Sequence, residues 1–218
     1  VAIGVFKQNY ANVTGTFLTP TGDYRYLQGE VVDDQLLLST FDGNHAYVFS
    51  AHFEGDSIKG NFYAGKTGFE SWKGIRNEKA TLPDSESLTL LKPGYEKLEF
   101  SFPDVNGNKI SPADEKFKDK VLILQLFGTW CPNCMDETKY LSPWYDNNKQ
   151  RGVEVLGLAF ERKPDFTYAS ERVKKMKSKW GVNYDFVIAG VDDKMKAAEA
   201  LPALNKIVAF PTTIFIGK

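Results

Sequence analysis

The fold of this chain is decided by residues 127–134, whose sequence is FGTWCPNC. The two cysteines in this stretch, Cys131 and Cys134, are the only cysteines among the 218 residues. A disulfide scaffold would spread its cysteines along the chain, and a structural zinc site would need further Cys or His ligands at a second spacing. A single Cys-x-x-Cys pair between a strand and a helix is instead typical of a reversible dithiol and disulfide.

The composition is that of an ordinary soluble protein, with 42% hydrophobic and 25% charged residues, and its length suits one large domain or two smaller ones. The net charge of −1 gives no electrostatic case for a nucleic acid or an anionic membrane surface as partner. No stretch approaches the roughly 20 apolar residues of a membrane span. The chain begins at Val1 rather than Met, so we expect a processed product.

Residues 1–80 show the pattern of an antiparallel β-domain. Short runs of alternating apolar and polar residues follow one another, with turn-forming sequences such as DGN at 42–44 between them. No segment with a helical period interrupts these runs, so we expect a small all-β barrel or sandwich. The predicted strands are residues 14–19, 24–32, 35–41, 45–53, 57–63 and 68–75.

Residues 81–93 are polar and weakly patterned, which predicts a linker. From residue 94 to residue 218 predicted strands alternate with predicted helices, as in an α/β fold with a mixed central sheet. The run VLILQLF at 121–127 is almost wholly apolar, as expected for a strand buried on both faces. The other predicted strands are 97–102, 153–159, 184–188 and 212–216, and the predicted helices begin at the cysteines or span 165–180 and 194–205.

The position of Cys131 favours a reactive thiolate. It stands at the start of a helix, where unsatisfied N–H groups and the helix dipole stabilise negative charge. Thiol pKa values at such positions fall from about 8.5 to between about 3.5 and 7.5. Pro132 suits the first helical turn, which needs no N–H from it. Cys134 lies one turn further in, so we predict that Cys131 attacks a substrate disulfide and Cys134 resolves the mixed disulfide.

Two motifs together resemble a known family. FGTWCPNC at 127–134, with FPTTIF at 210–215 downstream, is similar to the TlpA/ResA-type thioredoxin-like thiol-disulfide oxidoreductases, above all to Bacteroidetes members with an extra N-terminal β-domain. The resemblance covers residues 97–218 and implies a thioredoxin-like fold there. Such domains normally continue into a further strand and a closing helix, so we expect the domain at 94–218 to lack these two elements.

The resemblance also implies a set of substrate-binding residues around the cysteines. Pro211 matches a proline that is cis and faces the disulfide in thioredoxin-like folds, and Phe210 before it would contact a bound peptide through its backbone. Trp130 would pack beside the disulfide and limit access to Cys134. Pro132 completes the expected substrate-binding set.

Glu137 is implied as a third catalytic residue. It lies three positions after Cys134 on the same helix face, and ResA-type proteins use a glutamate at this spacing to assist proton transfer. Thioredoxins proper use a buried aspartate on the preceding strand, where this chain has Gln125, which does not titrate. The alternative is a solvated carboxylate that only interacts with the helix dipole, with Asp136 beside it as the other candidate for the surface position.

We therefore expect an extracytoplasmic thiol-disulfide oxidoreductase that reduces protein disulfides, with the direction of electron flow implied by the resemblance alone. The resemblance also implies a periplasmic or cell-envelope location with an optional lipid anchor. Disulfide-containing proteins such as apocytochrome c are the implied substrates, and a membrane protein is the implied electron donor. No metal, nucleic acid or cofactor is expected.

Two other functions stay open at this point. A peroxiredoxin-like peroxidase would need the pattern Pro-x-x-x-Thr-x-x-Cys, but Leu124 and Gly128 stand seven and three positions before Cys131. A non-enzymatic envelope protein would bind its partner through the β-domain at residues 1–80 and use the thioredoxin-like half as a redox sensor.

Overall fold

The computed structural model describes all residues from Val1 to Lys218 and separates them into two units, Val1–Asp84 and Ser85–Lys218. The first unit is a single antiparallel sheet in the order β1-β2-β4-β5-β6-β7-β8, with β3 paired to β2. The strands are β1 (Ile3–Asn9), β2 (Asn12–Thr19), β3 (Gly22–Asp23), β4 (Leu27–Val32), β5 (Gln35–Phe41), β6 (Ala46–Glu54), β7 (Ser57–Ala64) and β8 (Gly68–Ile75).

The antiparallel all-β prediction for this region is confirmed, and the sheet is an open half-barrel. Strands β1 and β8 lie at opposite edges, so the eight strands form neither a closed barrel nor a sandwich of two sheets. Alternation decides which face is buried, because successive side chains of a strand point to opposite faces. Strand β6 pairs with both β5 and β7. In it Phe49 and Ala51 are buried, whereas Val48, which points to the other face, is exposed.

The second unit is built on a four-stranded sheet in the order β13-β12-β11-β14. Its strands β11, β12 and β13 are parallel, and β14 is antiparallel to β11, which is the arrangement of a thioredoxin-like fold. The strands of this unit are β9 (Phe102–Pro103), β10 (Lys109–Ile110), β11 (Val121–Phe127), β12 (Val153–Glu161), β13 (Asp185–Val191) and β14 (Thr212–Ile216). The helices are α1 (Pro132–Asn148), α2 (Phe166–Trp180) and α3 (Lys194–Ala200).

The apolar run of β11 explains why this sheet is covered on both faces. Leu124 and Leu126 enter one hydrophobic cluster, which also contains Leu201 beside α3. Ile123 and Phe127 enter a second cluster, to which α1 and α2 contribute side chains. A parallel sheet with both faces buried requires this nearly continuous hydrophobic sequence.

Two predicted elements differ from the structure. The helix predicted for 194–205 ends at Ala200, because Pro202 disfavours helical backbone at the residue before it, and Leu201 has φ −125° and ψ 67°. The strand predicted for 97–102 overlaps β9 only at Phe102, which pairs with Ile110 of β10. No helix of the structure combines the length and the apolarity that a membrane span requires.

Candidate redox-active site

Cys131 and Cys134 form a disulfide at the start of α1, with their Cα atoms 5.2 Å apart. Cys131 is the N-cap residue, and its Sγ accepts a hydrogen bond from the backbone N–H of Cys134 at 3.2 Å. Pro132 occupies the first helical position, as its fixed φ and missing N–H favour. Cys131 is 5% exposed and Cys134 is fully buried, so an incoming substrate reaches Cys131 first.

The turn between β11 and α1 is held against β12 by Trp130. The indole Nε1 of Trp130 donates a hydrogen bond to the carbonyl oxygen of Phe160 at 2.9 Å. A Cβ atom on Gly128 would lie 2.1 Å from that Nε1 and 2.8 Å from the same carbonyl oxygen. Only glycine therefore lets the turn approach β12 closely enough for this hydrogen bond.

Phe210 and Pro211 approach the disulfide from the loop before β14. The peptide bond between them is cis, and the carbonyl oxygen of Phe210 lies 3.5 Å from Cys131 Sγ. The Phe210 ring packs edge-to-face on Trp130, with 6.0 Å between the ring centroids. The structure thus brings Trp130, Cys131, Phe210 and Pro211 together.

Beneath the disulfide, Gln125 organises a buried polar network. Its Nε2 donates hydrogen bonds to Glu137 Oε2 at 2.9 Å and to Thr138 Oγ1 at 3.0 Å. Its Oε1 accepts a hydrogen bond from the hydroxyl of Tyr184 at 3.0 Å, which fixes the orientation of the amide. Burial raises the pKa of Tyr184 well above its usual range, so this hydroxyl remains a donor.

Glu137 is half-buried and is bound on both carboxylate oxygens. Its Oε1 accepts a hydrogen bond from Thr213 Oγ1 of β14 at 2.5 Å, and its Oε2 accepts the one from Gln125. The Gln125 amide also approaches the carbonyl oxygen of Cys134 at 3.5 Å, so it links the carboxylate to the buried cysteine. Asp136, by contrast, lies 3.5 Å from the exposed Lys139.

Glu161, at the end of β12, is a charged residue of the site that the sequence interpretation missed. It is fully buried, and its two oxygens accept hydrogen bonds from the backbone N–H of Thr129 at 2.8 Å and from its Oγ1 at 2.9 Å. Burial raises the pKa of Glu161, while these hydrogen bonds and the Arg172 guanidinium oppose the rise. The sequence signal that could have revealed it is a glutamate placed directly after the mostly apolar strand sequence at 153–160, since such a position is expected to be buried.

The structure contains no group of three or more His, Cys, Asp or Glu side chains arranged to hold a metal ion. A dithiol and disulfide pair of this kind exchanges two electrons with another disulfide.

Comparison with curated proteins gives relatives that are named thiol-disulfide oxidoreductase ResA. The relative from Bacillus thuringiensis (strain Al Hakam) is 28% identical over 125 residues, which are 57% of this chain and 62% of the relative. The relative from Bacillus subtilis (strain 168) is 26% identical over 127 residues, or 58% of this chain and 63% of the relative. The chain thus spans about three fifths of the length of these curated relatives.

Solved structures with a similar course of the chain include two proteins from Bacteroides. The thioredoxin domain of a thiol-disulfide oxidoreductase from Bacteroides vulgatus is 25% identical, with a TM-score of 0.43, and the match covers 55% of this chain and 76% of that one. A thiol-disulfide oxidoreductase from Bacteroides fragilis NCTC 9343 is 26% identical, with a TM-score of 0.41, and the match covers 55% of this chain and 80% of that protein's chain.

The family comparison covers the whole thioredoxin-like region. The model of the AhpC/TSA family matches residues 93–218, which include both cysteines, the cis-proline loop and β14. This match extends over more than half of the chain, and the sheet order described above agrees with it. The protein therefore belongs to the AhpC/TSA family, and its ResA-named relatives support the resemblance to the TlpA/ResA-type thioredoxin-like proteins.

Proposed function

We propose that this protein is an extracytoplasmic thiol-disulfide oxidoreductase that reduces protein disulfides through Cys131 and Cys134. The observation that carries the proposal is the placement of Cys131 Sγ at the N-cap of α1, where it accepts the N–H of Cys134. This N–H and the helix dipole stabilise the negative charge of a thiolate at Cys131 after reduction. The name of the curated relatives, thiol-disulfide oxidoreductase, supports the same activity.

The proposed reaction is two successive exchanges. The Cys131 thiolate attacks one sulfur of a substrate disulfide and forms a mixed disulfide, while the other substrate sulfur leaves as a thiolate. Cys134 then loses its proton, attacks Cys131 Sγ and releases the second substrate thiolate. This step restores the Cys131–Cys134 disulfide and leaves two electrons on the substrate. An external dithiol has to reduce the pair before the next cycle.

Glu137 is the proposed acceptor of the Cys134 proton. It lies one helical turn beyond Cys134, and the Gln125 amide approaches both the carboxylate and the Cys134 carbonyl oxygen. Cys134 is fully buried, so bulk water is a poor route for its proton. A carboxylate fixed by Gln125 and Thr213 is a base in a defined position near the thiol.

Trp130, Pro132, Phe210 and Pro211 are the proposed substrate-binding residues. A peptide joined to Cys131 in a mixed disulfide has to pass the backbone of Phe210, whose carbonyl oxygen lies 3.5 Å from Cys131 Sγ. That oxygen is an available acceptor for a peptide N–H. The Trp130 ring beside it offers an apolar surface. Because backbone contacts do not depend on side chains, a site of this kind binds substrate proteins of many sequences.

The cellular setting is proposed from the family resemblance. We place the protein in the periplasm or cell envelope, with or without a lipid anchor. Its substrates would be disulfide-containing proteins such as apocytochrome c, and its electron donor would be a membrane protein. The proposed organisation is a β-domain at 1–80, a linker at 81–93 and the thioredoxin-like domain at 94–218.

The first test is trapping with Cys134→Ser. Without the resolving thiol, Cys131 should hold its substrates as mixed disulfides, which mass spectrometry of envelope extracts would identify. The matched control is Cys131→Ser, which should capture nothing. The proposal is wrong if Cys134→Ser yields no adducts and Cys131→Ser reacts with disulfides as fast as the unchanged protein.

The direction of electron flow is tested by the reduction potential of the pair. A reductase should lie near or below the roughly −270 mV of thioredoxin, whereas about −120 mV is the value of a strong periplasmic oxidant. A peroxide-consumption assay tests the other enzyme class. Turnover of peroxide without any disulfide substrate would favour a peroxidase over the proposed function.

A further inference from the structure

The proposed exchange reaction does not use Glu161, although this carboxylate is fully buried beside the active-site turn. Both of its oxygens are bound by a single residue, Thr129, through the backbone N–H and the hydroxyl. Thr129 stands two positions before Cys131. Burying a carboxylate is costly, and hydrogen bonds of this kind are what make it tolerable inside a protein.

Arg172 of α2 brings a positive charge to the same place. Its Nε donates a hydrogen bond to Thr129 Oγ1 at 3.0 Å and lies 3.8 Å from Glu161 Oε2. The Thr129 hydroxyl thus accepts from the guanidinium and donates to the carboxylate. Two further charged side chains lie near the active-site turn. The Asp192 carboxylate acts on Glu161 with the same sign, and the Arg162 guanidinium lies over the Trp130 ring at 5.6 Å.

We infer that Glu161 and Arg172 are positioning residues that set the stability of the Cys131 thiolate through opposite charges held against Thr129. The inference deepens the proposed function and rests on Cys131 being the attacking thiol. The carboxylate of Glu161 is fully buried, so little solvent weakens its effect on nearby charges, whereas the Arg172 side chain is 47% exposed and its charge is partly screened. A carboxylate destabilises a nearby thiolate, and a guanidinium stabilises it.

The two charges predict shifts of opposite sign. Glu161→Gln keeps the size of the side chain and one acceptor oxygen but leaves Arg172 unbalanced, so the pKa of the Cys131 thiol should fall. Arg172→Gln leaves the carboxylate unbalanced, so the pKa of that thiol should rise. A merely structural role predicts a different result. Both substitutions would then loosen the turn at Thr129, and both should shift the pKa of the Cys131 thiol in the same direction.

The experiment uses the full chain in its reduced form. The pH dependence of alkylation of Cys131 gives the thiol pKa, and equilibration with glutathione at pH 8 gives the equilibrium constant of the pair. We expect thiol pKa shifts of about half a unit to one unit, down in Glu161→Gln and up in Arg172→Gln. The equilibrium constant should change roughly three- to tenfold, or about 15 to 30 mV in potential.

Glu171→Gln and Lys174→Gln are the matched controls, because they make the same changes of net charge at exposed positions of α2. Both should leave the thiol pKa unchanged. Opposite shifts in the two test variants support the inference, and shifts of the same sign or none at all overturn it. If Glu161→Gln does not fold, a fall or no change of the thiol pKa in Arg172→Gln alone overturns it.

These outcomes are separate from those of the proposed function. Alkylation measures the Cys131 thiol without any disulfide substrate. If the unchanged protein reduces no disulfide, the proposed function fails while the thiol pKa values still decide the role of Glu161 and Arg172. If the protein reduces disulfides but the two variants do not shift in opposite directions, only the further inference fails.

Discussion

Gln125 is the buried residue that connects the polar groups beneath the disulfide. Its amide donates to Glu137 and accepts from Tyr184, so both ends of the side chain are satisfied in the core. An amide does not take up a proton at any physiological pH. In the proposed reaction Glu137 is therefore the base of this network that accepts the proton of Cys134, and Gln125 holds its carboxylate in place.

Glu137→Gln should slow the resolving step. We expect release of the second thiol from a symmetrical aromatic disulfide to fall about tenfold or more at pH 7, because Cys134 loses its base. The difference should shrink towards alkaline pH, where hydroxide increasingly replaces Glu137 as the base. Stopped-flow absorbance separates this second release from the first, which reports the attack by Cys131.

Asp136→Asn is the control for this variant, since Asp136 is the neighbouring carboxylate on α1 and lies beside Lys139. It should leave both releases at their original rates. An equal slowing in the two variants would mean that the charge of the helix start matters rather than a base at Glu137. An unchanged second release in Glu137→Gln would remove Glu137 from the mechanism.

The residues of the site divide into those that a motif reveals and those that it does not. Cys131, Cys134 and Pro211 belong to local motifs and could be read from the sequence. Thr213, by contrast, lies 76 positions from its partner Glu137. Tyr184 lies 59 positions from Gln125, and Glu161 lies 32 positions from Thr129. These pairs form only when the sheet brings distant strands together, and no local pattern in a single sequence encodes them.

At the scale of elements, the turn between β5 and β6 depends on one carboxylate. Asp42 Oδ1 accepts hydrogen bonds from the backbone N–H groups of Asn44 at 2.9 Å and His45 at 2.7 Å. Its Oδ2 lies 2.7 Å from Arg25 Nε and 2.9 Å from His45 Nδ1. The side chain thus closes the turn and ties it to the segment before β4.

Asp42→Asn should destabilise this sheet in a pH-dependent way. Burial alone would raise the pKa of Asp42, but hydrogen bonds from His45 and the turn backbone outweigh it and lower the pKa to about 2. Because the folded pKa lies below the unfolded one, the ionised carboxylate stabilises the sheet above about pH 4 and this contribution is lost towards pH 2. The variant should cost about 1 kcal/mol at pH 7, after allowance for solvent screening.

Hydrogen exchange of the β5 and β6 amides, corrected for intrinsic rates, measures this effect. The loss of protection in Asp42→Asn should be present at pH 7 and should have largely disappeared at pH 2. Asp34→Asn, in the exposed turn between β4 and β5, is the matched control and should change protection little. A loss of the same size at both pH values would show that the charge of Asp42 does not stabilise the turn.

The elements that the sequence predicted best are those with a clear period. The strand predicted at 212–216 has the bounds of β14, and the helix predicted at 165–180 is α2 together with its N-cap Asp165. Strand β1 was missed because its alternation is weak, with Phe6 and Ile3 as its only half-buried residues. The strand predicted at 97–102 has the right alternation, but pairing with β10 covers only its end. Periodicity predicts an element, and pairing decides its length.

At the scale of the molecule, the change of pattern along the chain predicted an all-β region followed by an α/β region, and both are present. The position of the change is less clear from composition. Residues 85–92 read as a polar linker, yet the structure gives them partners in the loop after α3. Leu91 bridges Leu204, and the N–H of Lys92 donates to the Ala203 carbonyl oxygen at 2.8 Å.

This segment should stabilise the thioredoxin-like unit although it precedes the family match at 93–218. Besides the contacts of Leu91 and Lys92, Leu90 and Asn205 exchange two hydrogen bonds of 2.9 Å each. At roughly 0.5–1.5 kcal/mol for each of the three hydrogen bonds, their loss removes up to about 4.5 kcal/mol, which the regained entropy of the released segment partly offsets. A chain starting at residue 93 should therefore unfold at a temperature several degrees lower than one starting at residue 85.

Thermal unfolding of three chains, starting at residues 77, 85 and 93 and all ending at residue 218, measures this contribution. Each step removes eight residues, so the first step is a matched control for the second. The melting temperature should drop more from 85 to 93 than from 77 to 85, because Leu90 and Lys92 form hydrogen bonds with the loop at 203–205. Equal melting temperatures for the two shorter chains would show that residues 85–92 do not stabilise the folded unit and belong to the linker. A larger drop in the second step would extend the folded unit back into residues 85–92 and would shorten the proposed linker at 81–93.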